Sequence, residues 1–198
     1  MEPPKEPGRR RLLTVGHSNH EPDAFVALLR SAGIKALIDV RSQPYSRHAP
    51  HFNRSPLTRL LAAADIEYRH EPGLGGRPDD PGMYDETGHV LYGMVAESDP
   101  FLAALSRLEV RAETTTTAIM CGEEDPTECH RRLLVGRVLE GRGWRLLHLR
   151  RDGRVQAEDE LPQVGGTQEG LFEGGEFSTW RSIQSVSPRN RPRSSSGS

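Results

Sequence analysis

Cys121 and Cys129 are the only cysteines of the chain, and they stand on one loop that runs through Gly122, Glu123, Glu124, Asp125 and Glu128 into His130, Arg131 and Arg132. Thiols beside a histidine and arginines suit nucleophilic or sulfur-transfer chemistry, because the thiolate is the reactive form and positive neighbours favour it. The plainer reading is that Cys121 and Cys129 pack as small apolar side chains under the loop. A redox disulfide between them would be unlike the close Cys-x-x-Cys arrangement. Glu123 is the best general acid or base of the loop if burial raises its pKa; otherwise it is a solvated acid. His130 and Arg131, at the first helical turn, bind an anion or order the loop, and Arg132 is expected to be exposed. Cys121, Cys129, His130 and His17 are zinc-ligand types. The cysteines are nevertheless further apart than in common zinc knuckles and no second pair exists, so no metal or other cofactor is expected and zinc is the minor option.

Two other segments carry polar groups at the end of an apolar run. Leu12 to Val15 leads into Gly16, His17 and Ser18, and Ile34 to Val40 closes on Asp39, Val40 and Arg41. His17 could orient or deprotonate a substrate group, or be held by a loop carbonyl. Asp39 and Arg41 share a strand face, since side chains alternate. Arg41 is read as binding substrate and Asp39 as positioning a neighbour, with a plain ion pair as the alternative. Ser18 and Ser46 are further candidate substrate contacts, together with Tyr45, while His48 and His51 fit a mixed polar surface loop. Catalytic roles thus fall on Cys121, Glu123, His17 and Asp39. Substrate binding falls on Ser18, Arg41, Ser46, Cys129, His130 and Arg131.

These residues need elements to position them. A helix opening near Pro22 carries Phe25, Leu28 and Leu29 on one stripe and stops at Gly33. Ser55 as N-cap with Pro56 behind it opens a second helix reaching Ala64, and Ile66 to Tyr68 reads as a strand. Glycine and proline crowd residues 72 to 82, a long loop of the kind that is often functional. The glycines Gly73, Gly75 and Gly76 lack dinucleotide spacing and need no cofactor. Helices follow around Val90 to Ala96 and from Ser98 or Asp99 to Leu108. Thr117 to Met120 is a buried strand, Arg131 to Arg142 a helix, and Trp144 to Leu149 a last strand. Strands alternating with helices indicate a single three-layer α/β domain with a mostly parallel sheet and helices on both faces. Its ligand crevice should lie at the carboxyl ends of the strands, where the candidates stand. Residues 1–10 form a flexible arm, 11–157 the domain, and 158–198 a disordered tail poor in apolar residues.

The segments Thr14 to Ser18, Asp39 to Ser46, Met120 to Glu123 and Cys129 to Arg131 resemble the signature blocks of the bacterial family called domain of unknown function 488. The resemblance covers about residues 12 to 152 and implies no particular reaction. A weaker similarity, carried by Ile38 to Arg41 and by the strand, cysteine loop, arginine and helix of the late segment, is to the layout of rhodaneses and cysteine phosphatases. Those proteins cradle an anion in a loop closing on an arginine. The longer loop here and its acids Glu123, Glu124, Asp125 and Glu128 depart from that layout.

The chain has 198 residues, a net charge of −2, 34% hydrophobic residues and a mean hydropathy of −0.63. No global basic field drives nucleic-acid binding, and arginine far outnumbers lysine, which occurs only at Lys5 and Lys35. No apolar run could span a bilayer, and two thiols on one loop without an N-terminal apolar segment point to a reducing cytoplasm. The expected function is an enzyme acting on an anionic substrate, related to nucleotides or nucleic acid, with a thiol-dependent transferase or hydrolase as one form. The alternative is a non-catalytic DNA-maintenance adaptor. Gln168, Leu171 and Phe172 in the tail resemble the peptides with which bacterial repair proteins dock on the sliding clamp, two apolar anchors and an amide on a tether.

Overall fold

In the computed structural model, residues 10–162 and 180–186 are described. Strand β1 (Arg10–Gly16) is followed by helix α1 (Pro22–Ser31), β2 (Ala36–Asp39), α2 (Arg54–Ala62) and β3 (Glu67–His70). Next come α3 (Tyr92–Glu97), α4 (Asp99–Thr114), β4 (Thr117–Cys121), a π-helical turn (Arg131–Gly136) continuing as α5 (Arg137–Gly141), β5 (Trp144–Leu149) and β6 (Val155–Ala157). The strands form a six-stranded sheet in the order β3-β2-β4-β1-β5-β6. All neighbours are parallel except β6, which returns antiparallel to β5. The expected α/β domain with a mostly parallel sheet is therefore the observed one.

Each face of the sheet carries its own core because successive strand residues point to opposite sides. Leu37 joins Phe25, Leu29, Phe52 and Leu57 beneath α1 and α2. Its neighbour Ile38 joins Phe101, Leu105 and Leu134 beneath α4 and the helix that begins at Arg131. Strands buried on both faces read as unbroken apolar runs, which is why Ile34 to Val40 and Thr117 to Met120 stand out in the sequence.

Several elements differ from expectation. Helix α2 opens two residues earlier than expected, with Asn53 rather than Ser55 as N-cap. Pro56 then sits at the third helical position, where its missing N–H is still one of the unpaired donors of a first turn. The helix expected from Arg131 starts as a wider π turn, closely packed on β5. A Cβ on Gly136 would lie 2.5 Å from Leu146 Cδ1. The described residues continue past the boundary expected at 157. Glu158–Glu160 forms a 3-10 turn, and residues 180–186 lie along the 88–91 segment. Ser182 N donates to Val90 O at 2.9 Å and Val186 N to Gly88 O at 2.8 Å. Trp180 fixes this strap, its indole N–H donating to Leu133 O at 2.8 Å under the Arg137 guanidinium. In sequence this stretch reads as tail because its few apolar residues are spread out. Gln168, Leu171 and Phe172 lie outside the described residues.

Glu158 belongs to a buried polar chain behind the sheet ends. His148 Nε2 donates to Glu158 at 2.7 Å and Nδ1 accepts from the Thr14 hydroxyl at 2.8 Å, while Arg132 Nε donates to the other Glu158 oxygen at 2.6 Å. Arg132, expected to be exposed, is thus buried: a guanidinium leaves water when enough acceptors await it. Burial lowers the His148 pKa below its ordinary 6.5 even though Glu158 acts in the opposite sense. Protonation of this ring then favours the unfolded chain, so its contribution to stability is complete above pH 6.5 and is lost as the pH falls toward the lower folded value. Urea midpoints measured from about pH 7.5 down to about pH 5 should fall less steeply for His148→Gln than for the native chain. Equal slopes would show that the ring titrates normally.

Candidate active site

The chain leaves β1 toward β2 and leaves β4 toward β5, on opposite sides, although β1 and β4 are neighbours in the sheet. Connections that part in this way open a crevice at the carboxyl ends of the two strands. Gly16 and Cys121 face each other in register across it. His17 N donates to Cys121 O and Ser18 N to Gly122 O, both at 2.9 Å, so the two loops stay paired beyond the sheet. A Cβ on Gly16 would lie 1.9 Å from Glu123 O, which makes glycine obligatory where the cysteine loop folds over β1. Ser18 adopts a left-handed φ of 44° at the turn.

The crevice is a cleft of about 670 Å³. Of the residues expected at the site, His17, Ser18, Arg41, Ser46, Cys121, Glu123, Cys129 and His130 line it. At its floor the Cys121 thiol donates to Glu123 Oε2 at 2.9 Å and Cys129 Sγ lies 3.3 Å from the same oxygen. His130 Nδ1 is 3.6 Å from Cys121 Sγ and 4.0 Å from Cys129 Sγ. The ring is aimed by its other nitrogen, which donates to Val40 O at 2.9 Å, and it fits because Gly76 has no Cβ to meet it. The contact with Cys129 and burial push the Cys121 pKa up. Burial opposes ionisation of Cys129, yet the neighbouring Cys121 thiol and the charges of Arg131 and His130 bring its pKa down. One thiol of the pair holds its proton while the other is disposed to lose it.

Arg41 stands on the wall. Its Nε and Nη2 bind the two oxygens of Asp39 at 2.9 and 2.6 Å, and Nη2 also donates to Phe52 O at 2.8 Å. Nη1 reaches His17 Nε2 at 3.1 Å. That bond requires a neutral ring, and His17 Nδ1 donates to Ser18 O at 2.9 Å. Burial and the Arg41 charge lower the His17 pKa to about 4, and the ring stacks on Phe52 with centroids 4.4 Å apart. Asp39, wholly buried, does not line the cleft; it holds Arg41 and accepts from Tyr68 OH at 2.8 Å. Ser46 lines the cleft, but its hydroxyl accepts from Ala49 N at 3.1 Å and so orders its own loop.

Arg131 departs from the expected role in substrate binding. It is 1% exposed and turned beneath the loop, where it donates to the carbonyls of Glu123 and Glu124 and, at 3.4 Å, to Thr14 Oγ1. It closes no anion cradle, so the rhodanese-like layout gains no support. Tyr68, Tyr92, Arg77 and the strap residues Ser182 to Gln184 are not legible at the site from the sequence. Tyr68 is reached through the register of β3 on β2, and the strap through contacts some ninety residues apart in the chain, such as Val90 with Ser182. No local sequence signal carries either.

Residues 21–138, more than half of the chain, match the family described as Domain of unknown function DUF488. The chain belongs to this family. No curated protein and no solved structure matches it. The DUF488 match takes in α1 through the π turn, including Arg41, both cysteines and His130, while His17 and Ser18 lie just before it. No helix among the described residues is long and apolar enough to cross a membrane.

Two measurements check this geometry. Gly16→Ala should lower stability by about 1–3 kcal/mol, read as a drop in melting temperature, because the added methyl has to displace backbone. An unchanged melting curve would show that the loop does not cross β1 so closely. The His17 ring resonances should titrate with a midpoint of about 4. A midpoint at the ordinary 6.5 would mean that the ring is neither desolvated nor held against Arg41.

Proposed function

We propose that this cleft is an active site for a nucleotide or a nucleotide-like anion. The observation that carries the reading is that Arg41, immobilised by Asp39 and Phe52, lines the same cleft as Cys121, Glu123, Cys129 and His130. A guanidinium with its fork fixed by a carboxylate loses little freedom on receiving an anion. Arg77 stands at the rim and adds positive charge. Tyr45, also on the rim, leaves 64% of its surface open to solvent. An exposed aromatic face beside arginines offers a stacking surface for a base, with the phosphate directed inward. The volume of the cleft falls within the range of small-molecule sites. Glu123 and His130, which can carry protons, line the cleft with the two cysteines, and that combination supports group transfer or hydrolysis over passive docking. Two free thiols suit a reducing cytoplasm.

Calorimetric titration with nucleoside mono- and triphosphates and with inorganic phosphate tests the reading. Tyr45→Ala should weaken nucleotide binding about tenfold or more, the worth of one stacked base, and leave phosphate binding unchanged. Arg41→Lys should weaken both, since it removes the Nη1 group that the Asp39 pair leaves toward His17 and the cleft but keeps the charge. Absence of binding by every ligand, or an equal loss of phosphate affinity in Tyr45→Ala, would overturn it.

A further inference from the structure

The loop from Cys121 to Cys129 brings its two sulfurs and a ring nitrogen of His130 within 4.8 Å of one another. Tetrahedral zinc, with bonds of about 2.3 Å to sulfur and about 2.0–2.1 Å to nitrogen, sets sulfur and nitrogen ligands about 3.6 Å apart. His130 Nδ1 stands 3.6 and 4.0 Å from the two sulfurs. Its Nε2 donates to Val40 O, an arrangement that aims Nδ1 at the sulfurs and is the usual outer support of a metal-binding imidazole. Glu123 Oε2 lies 2.9 and 3.3 Å from the same sulfurs and its residue lines the cleft, so a turn of this side chain would bring a carboxylate oxygen to the fourth position. The separation of the cysteines in the chain, which argued against zinc, is undone by the 3-10 turn Pro126–Glu128 and by Arg131, which folds the loop back on itself.

We propose that Cys121, Cys129 and His130 bind one zinc ion, with Glu123 as an exchangeable fourth ligand. Two thiolates and an imidazole select zinc over the harder magnesium or calcium. Each zinc–sulfur bond replaces a sulfur–hydrogen bond where the thiol still holds its proton, the zinc–nitrogen bond replaces the Nδ1 proton where the His130 ring is charged, and these protons pass to the buffer. A carboxylate that can leave the metal opens a position for water at the floor of the cleft, as catalytic rather than structural zinc sites do. The proposal does not depend on the nucleotide reading, since zinc binding needs no substrate.

Full-length protein, reduced and stripped with a chelator, should take up one zinc per chain in competition with a chromophoric chelator, with a dissociation constant on the order of nanomolar. Cobalt should give the sulfur-to-metal charge-transfer bands and intense ligand-field bands of a tetrahedral thiolate site. Cys129→Ser and His130→Gln should each weaken zinc binding by about 100-fold or more, and Glu123→Gln by about tenfold. Because buried cysteine variants could unfold, the native protein supplies a second measurement: zinc should protect both thiols from maleimide. Equal alkylation with and without zinc, binding no tighter than that of Cys129→Ser, or a cobalt spectrum without thiolate bands would each overturn the site. An unchanged affinity in Glu123→Gln would overturn the fourth ligand. Zinc uptake without nucleotide binding would leave the site standing and remove the nucleotide reading; the reverse result would do the opposite.

Discussion

A guanidinium cut off from water must give its hydrogens to the protein, and Arg131 gives them to the carbonyls of Glu123 and Glu124 and to Thr14. The arrangement of the site depends on this. The loop after β4 would otherwise present carbonyls to a closed interior at a cost of about 1–3 kcal/mol each. With Arg131 beneath it, the loop turns back, the two cysteines come together and Glu123 is held over them. The π turn that carries Arg131 and the contact of Gly136 with Leu146 serve the same end, because they set the height at which the guanidinium meets the loop.

The wall of the cleft is organised by a second buried cation with the opposite outcome. Arg41 also has its fork committed, to Asp39, but its Nη1 end meets the crevice lining at His17. Removing either partner of a buried pair leaves a charge without compensation, at a cost of about 3–5 kcal/mol. The Asp39 and Arg41 pair therefore fixes the geometry of the β2 end more firmly than the exposed loop that follows could. Tyr68 contributes from the edge strand, where burial and the Asp39 charge push its pKa up, so it stays a donor to the carboxylate.

Behind both, the chain of Thr14, His148, Glu158 and Arg132 couples the sheet ends to the segment after β6. The strap at Trp180 to Val186 completes the opposite rim of the cleft through backbone bonds to the 88–90 segment. Both segments lie beyond the residues that match the family, so the cleft of this protein is closed in part by chain that the family match does not include.

Periodicity by itself determined the α/β class, the parallel strands and the gathering of His17, Arg41 and the Cys121 loop at one end of the sheet. Those follow from which residues are apolar and how they are spaced, and Leu37 and Ile38 illustrate it by serving opposite cores. The direction of long side chains was not determined in this way. Arg41, Arg131 and Arg132 look alike in sequence, yet one lines the cleft, one clamps a loop from below and one meets Glu158. What separates them is which acceptors the fold places within reach, and those acceptors come from distant parts of the chain. The closeness of Cys121 and Cys129 is of the same kind. Spacing along a loop limits the distance between two sulfurs only from above, and the bonds that draw the loop back decide the rest.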